Sequence, residues 1–313
     1  MGKIKTLLLA ALCVLAAAGC AKKDETPFAR AQREKDPAKA YQLYERIISE
    51  NPRHSGALIE RGKLKMGQGS YTRAAEDFTA ALQVDPGVAG AAYDLRAQAY
   101  THMKALNKAL ADVNRAAAKN VKSLDTLDTL GQALIAAGRP REAVNVYLLA
   151  VSIKTAESEM RVRLGEAYAA SNYIPAAIRE FSEVITAYPG KTGKARLGRC
   201  RAQVKLRQTR AALADCETAG QDGVPEAFLL SAEIYRALGN YPAAIAAYRN
   251  YTDRSPQDTQ AAVALADLLY ATGEYEQAAD IYDGAVRRYS SPARANCRAV
   301  LSLMRAGKCR KAA

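Results

Sequence analysis

The stretch that decides the fold is Arg161–Gly190, RVRLGEAYAASNYIPAAIREFSEVITAYPG. It reads as two amphipathic helices joined by a tight turn at Asn172-Tyr173. Gly165 and Ala177 are small, as two antiparallel helices in close approach require. Tyr168 and Phe181 are large and fill the space between one such hairpin and the next. Pro189 ends the second helix, because proline lacks an N–H donor and disfavours a helical residue before it.

Outward from this unit the same landmarks return. A small residue recurs at Ala40, Ala74, Ala109, Ala143, Ala177, Ala212, Ala244, Ala278 and Ala312, at spacings of 34, 35, 34, 34, 35, 32, 34 and 34. Four residues after each of the first eight stands Tyr44, Phe78, Val113, Tyr147, Phe181, Cys216, Tyr248 or Tyr282. Prolines close units at Pro52, Pro86, Pro189 and Pro256. An alanine-rich chain gives scattered coincidences, not a maintained phase with large residues attached. No alternation of apolar and polar residues calls for strands, and no Ser/Gly/Pro-rich linker interrupts the series.

Leu164-Gly165, Tyr168, Ala177, Phe181 and Pro189 resemble the landmarks of a tetratricopeptide repeat, L-G-x-x-Y, A-x-x-x-F and a terminal P. The resemblance covers residues 28–313 and implies an all-α fold, a right-handed α-solenoid of antiparallel helix hairpins. A chain of 313 residues would ordinarily divide into domains. A solenoid escapes that limit, since each hairpin buries its face only against its neighbours. The expected order is a partial repeat at 28–54, with Pro37 near a helix start. Full repeats follow at about 55–88, 90–122, 124–157, 158–191, 193–224, 225–258 and 259–292, then a partial repeat at 293–313. The last unit stops in its second helix, an end that either frays or is completed by a partner. The 193–224 unit is irregular: Leu197-Gly198 suggests one register and Ala212/Cys216 another, about two residues away.

Residues 1–20, MGKIKTLLLAALCVLAAAGC, have a basic start at Lys3 and Lys5, an apolar run from Leu7 to Ala18 and small residues before Cys20. That is the pattern of a bacterial secretion signal, too short for a stable span of about 20 residues. Ala17-Ala18-Gly19-Cys20 resembles a lipoprotein box, although Ala17 stands where that family favours Leu. The resemblance implies removal of residues 1–19, acylation of Cys20 and a short tether over 20–27. Acyl chains contribute about 0.8 kcal/mol per buried methylene, so several together anchor stably. Ala21, rather than Asp, after the cysteine implies the outer membrane, facing the periplasm. The alternative is ordinary cleavage after Ala18 and a soluble secreted protein.

The formal net charge of +13 falls by two if Lys3 and Lys5 leave with the signal. Its densest basic run is Lys191, Lys194, Arg196, Arg199, Arg201, Lys205, Arg207 and Arg210, with no acid between them. The run is either a solvated helix face or a patch for acidic headgroups, an anionic polysaccharide or an acidic partner. Nucleic acid is not an expected partner, because the usual motifs are missing.

With Cys13 and Cys20 in the N-terminal segment, Cys200, Cys216, Cys297 and Cys309 remain, and four cysteines allow three pairings. Cys200 and Cys216 occupy the places of Gly165 and Phe181, which touch across a hairpin, so a Cys200–Cys216 disulfide and two buried thiols are both open. Cys297 and Cys309 are offset by more than about 10 Å along their expected hairpin.

Catalytic chemistry is not expected. His54 and His102 lack ligand or nucleophile partners at useful spacing, no Gly-rich phosphate loop is present, and no metal or cofactor is implied. By resemblance, partners bind the concave face, where the second, fifth, ninth and twelfth residues of each unit point inward. Those positions hold Asp125, Asp128 and Gln132; Glu159 and Glu166; Glu226, Glu233 and Arg236; and Asp267 and Tyr270, interleaved with apolar residues. Family members that bind chaperones clamp a C-terminal carboxylate there with Lys, Asn and Arg. Acids at these places point instead to a basic or amphipathic protein segment. The expectation is a membrane-anchored envelope scaffold that binds protein partners in assembling an outer-membrane, pilus or polysaccharide-secretion complex. A binder of an anionic wall or exopolysaccharide polymer through residues 191–210 is the alternative.

Overall fold

The computed structural model describes residues 26–153, 158–190, 192–289, 301–302 and 305. Cys20, the N-terminal signal, Lys191, Cys297, Cys309 and Ala312 lie outside the described residues. The described residues are helical, without strands.

Among the described residues sixteen α-helices follow one another: α1 Pro27–Arg33, α2 Pro37–Glu50, α3 Ser55–Gly67, α4 Tyr71–Val84, α5 Ala89–His102, α6 Leu106–Ala118, α7 Leu124–Ala136 and α8 Pro140–Val151. Then come α9 Ser158–Ala170, α10 Ile174–Ala187, α11 Gly193–Lys205, α12 Thr209–Gln221, α13 Glu226–Ala237, α14 Tyr241–Arg254, α15 Thr259–Thr272 and α16 Tyr275–Tyr289. The chain forms two compact units, divided between Ala133 and Leu134. In the first, α3/α4 and α5/α6 are antiparallel hairpins packed in series behind α1 and α2. In the second, α9/α10, α11/α12, α13/α14 and α15/α16 pack likewise, each second helix against the next first helix.

Local chemistry starts and stops these helices. Asp36 Oδ1 accepts from the Ala38 N–H at 2.9 Å, and Pro37 takes the first helical position, where no N–H is missed. Asp258 Oδ1 does the same for α15, accepting from Ala261 N at 3.0 Å. Each first helix of a full repeat ends on a left-handed residue at a fixed place: Gly69, Lys104, Gly138, Asn172, Arg207, Gly239 and Gly273. Glycine adopts that backbone freely, whereas a residue with a Cβ bears roughly 1–2 kcal/mol of strain. Lys104 and Arg207, both at φ 58°, carry that strain in exposed turns.

The periodic small residues sit where the hairpins cross. Ala74, Ala109, Ala143, Ala177, Ala212, Ala244 and Ala278 are all fully buried, and so are Phe78, Tyr147, Cys216 and Tyr282. Gly62 and Gly165 let the rings of Phe78 and Phe181 lie against the first helix, for a Cβ there would come within 2.5 and 2.6 Å of a ring carbon. In the α11/α12 hairpin Cys200 and Cys216 replace that glycine–aromatic pair, joined as a disulfide with Cα atoms 5.7 Å apart. The register is therefore that of Ala212 and Cys216. Leu197-Gly198 imitates the motif two residues early, and Gly198 instead admits the Phe181 ring from the preceding hairpin.

Buried ion pairs recur with the same spacing. Arg61 grips Asp77 at 2.7 and 3.0 Å, Arg96 grips Asp112 at 2.7 and 2.9 Å, and Arg199 grips Asp215 at 2.6 and 2.7 Å. The guanidinium also reaches back one hairpin: Arg96 donates to Thr79 and Arg199 to Ser182, each at 2.9 Å. One side chain thus ties both helices of its own hairpin to the one before it.

Candidate protein-binding face

The first helices of neighbouring hairpins touch: α3 meets α5, α9 meets α11, and α11 meets α13. Their shared face collects the side chains that neither the hairpin crossing nor the second helices consume.

In the first unit this face is acidic. Asp94 of α5 is 9% exposed and has no cation beside it among the described residues. Gln98 Nε2 donates to Asp94 at 3.2 Å and to Thr126 Oγ1 of α7 at 2.8 Å. Burial pushes the Asp94 carboxyl above its ordinary range; hydrogen bonds from Thr126 and Gln98 oppose the shift, and the charge of Asp125 adds to it. Asp125 is exposed and Asp128 half-buried on α7, where Gln132 donates to Asp128 at 2.8 Å. Asp94 and Gln98 are the fifth and ninth residues of the 90–122 unit, so the count that selects Asp125 onward reaches them when it starts one repeat earlier.

A carboxyl whose pKa is raised by folding favours the folded state only while protonated; that contribution disappears as pH rises through the folded value. At neutral pH the Asp94 charge is a net cost. Asp94→Asn, which keeps one acceptor and removes the charge, is expected to match or exceed wild-type stability at pH 7. The difference should close as the pH approaches the ordinary aspartate value of about 3.9. Urea unfolding of both proteins at the two pH values checks this.

In the second unit acids and bases alternate between helices. Lys194 of α11 lies 3.4 Å from Glu159 of α9, and Lys205 Nζ donates to the Ala169 carbonyl at 3.3 Å. Lys194, Arg201 and Lys205 therefore form the stripe of α11 that borders α9. Across α11 stand Glu226, Glu233 and Arg236 of α13, all exposed. Glu159 and Lys194 also flank a cleft of ≈ 530 Å³ floored by Val162 and Val224, beside which Thr192 donates to Asp222 at 2.8 Å. Glu166 pairs along its own helix with Arg163 at 3.2 Å. Asp267 accepts from the Tyr282 hydroxyl. Tyr270 meets Tyr275 edge-on at 5.3 Å, with the Arg305 guanidinium 4.9 Å from its ring. These last two places are thus engaged within the fold.

The basic run does not make one surface. Arg199 and Arg196 turn into the hairpin toward Asp215, the latter at 3.4 Å. Lys194, Arg201 and Lys205 face α9, while Arg207 lies in the turn between α11 and α12 and Arg210 at the start of α12. The two histidines serve the helices themselves. His54 Nδ1 accepts from Ala57 N at 3.1 Å and caps α3, and His102 stacks on Tyr71 at 4.5 Å.

Helix hairpins in series with a polar face on their first helices define a helical-repeat scaffold suited to protein–protein interaction. The tetratricopeptide repeat profile matches residues 59–123, 129–192, 197–258 and 229–293, and the chain belongs to that family. No curated protein matches the sequence significantly. Among solved structures, the C-terminal part of a TPR repeat-containing protein from Cytophaga hutchinsonii is similar with a TM-score of 0.59 at 17% identity, over 75% of this chain and 95% of that one. A chain of the Naa15/Naa10 complex bound to HypK gives 0.52 at 18% identity; the match covers 91% of this chain and 45% of that one. YrrB, described as a TPR protein with an unusual peptide-binding site, gives 0.48 at 20% identity over 58% and 93%. At these identities the likeness is one of fold.

Proposed function

We propose that the protein is a lipid-anchored adaptor of a bacterial cell envelope, which holds basic or amphipathic segments of protein partners on its first-helix faces. The observation that carries the binding half is Asp94, a buried carboxylate without a cation, on the face that also bears Asp125 and Asp128. A lysine or arginine from a partner would offset the cost of that charge, which the hydrogen bonds from Gln98 and Thr126 only reduce. The envelope half draws on the N-terminal pattern ending in Cys20. The Cys200–Cys216 disulfide supports it, since such bonds persist in oxidising compartments. In this reading the outer membrane is the site, assembly of a larger envelope complex is the role, and the chain binds rather than catalyses. An anionic polymer on residues 191–210 is the weaker alternative, because Asp215 draws Arg196 and Arg199 into the hairpin.

The test is photocrosslinking in cells. A photoreactive residue at Gln132 or Glu233 should capture a protein through a Lys- or Arg-bearing segment, and one at the exposed Glu183 of α10 should not. Capture should fall in the Asp94→Asn background for the Gln132 probe. No partner at either inner position, or equal capture at Glu183, would reject the adaptor. Mass spectrometry finding Cys20 without acyl chains would reject the anchor.

A further inference from the structure

Eight large apolar side chains stand exposed among the described residues, and five of them cluster at three successive hairpin turns of the second unit. Tyr173 opens α10, Val204 and Leu206 close α11, and Leu238 and Tyr241 flank the turn between α13 and α14. Serial packing of these hairpins puts their turns along one edge. The chain around each turn, 167–178, 202–214 and 234–248, contains no Asp or Glu. It does contain Lys205, Arg207, Arg210 and Arg236, and Arg141 adds its guanidinium 6.0 Å from the Tyr173 ring.

Arg207 gives a second, independent sign. It occupies the strained left-handed position that four equivalent turns fill with glycine, and Lys104 and Asn172 fill the other two. Neither it nor Arg210 has a carboxylate partner among the described residues, and both side chains are exposed, so their charges are open to an outside anion. Strain kept in an exposed turn points to a use outside the fold.

We infer that this edge docks on an anionic lipid surface. The exposure of single large side chains at each turn suits insertion of a few of them between headgroups. Tyr and Leu enter the interface, while arginines beside them hold phosphates. Juxtamembrane basic residues act over about a Debye length, and carboxylates among them would cancel the attraction. This docking stands on the turns alone and holds with or without a lipid on Cys20.

The chain has no tryptophan, so Leu238→Trp places a single reporter at the edge. Gln221→Trp, at the exposed end of α12, places one at the opposite edge. Both are made in the full chain with Cys20→Ser, so any attraction from the N-terminal apolar run acts on the two alike. With vesicles of phosphatidylglycerol and phosphatidylethanolamine in equal parts, Leu238→Trp should shift to the blue and Gln221→Trp should not. Adding Arg207→Gly and Arg210→Gln should raise the lipid concentration for half the shift by about fivefold per arginine. Arg207→Gly should also keep or raise thermal stability, which separates lost docking from lost folding. Equal shifts at both edges, an equal shift with phosphatidylcholine alone, or a concentration-dependent shift without vesicles, as a second copy of the chain would give, overturns the inference.

Discussion

Asp112→Ala should destabilise the first unit by about 3–5 kcal/mol, read as a lowered urea midpoint. Asp112 is 1% exposed and receives two hydrogen bonds from Arg96 and one from Arg115 at 3.0 Å. Removing it leaves the largely buried Arg96 guanidinium without its counter-charge, and the loss of one partner costs far more than the pair contributes net. The asymmetry is itself testable. Replacing both members, as in Arg96→Met with Asp112→Leu, removes the stranded charge and should recover most of the loss. A double variant as unstable as the single one would mean that the pair contributes directly rather than that its broken half is costly. The Thr79 hydroxyl, which accepts from Arg96 at 2.9 Å, belongs to the preceding hairpin. Hydrogen exchange in α4 should therefore quicken along with that in α5 and α6.

The architecture was legible because hairpin crossings tolerate only small residues, and that constraint writes itself into the chain at a fixed period. The period alone puts Ala143 and Ala177 at crossings, and the same count puts Cys200 opposite Cys216. What escaped the sequence was where each charge points. Asp215 lies five residues beyond the end of the basic run, yet folding returns it onto Arg196 and Arg199. A run that reads as one patch is therefore divided among a hairpin interior, an inner face and a turn. The inward-facing count found polar positions but not their neighbours. Asp267 sits at such a position and is held by Tyr282, a contact with the second helix that position alone does not reveal. Leu197-Gly198 shows the converse hazard, a motif match that serves the neighbouring ring instead of its own hairpin.

Phe181→Ala should cost about 3–5 kcal/mol, because the cavity it leaves has little means of collapsing. The ring is 1% exposed and is lodged between two glycines, Gly165 of α9 and Gly198 of α11. A Cβ at either glycine would come within 2.6 and 2.5 Å of ring carbons, so the two helix backbones are already as close as the ring permits. Gly165→Ala and Gly198→Ala should each destabilise by about 1–3 kcal/mol through overpacking. Combining either with Phe181→Leu should cost less than the sum of the single changes, since a smaller side chain makes room for the methyl. Strict additivity would mean that the ring is not what the glycines accommodate. Because Gly198 belongs to the following hairpin, Phe181 supplies part of the nearest-neighbour coupling on which a serial array depends. Its loss should weaken that coupling as well as the local core. Exchange protection in α9 and α10 should then fall away from that in α11 and α12, where the Cys200–Cys216 disulfide still fastens the next hairpin.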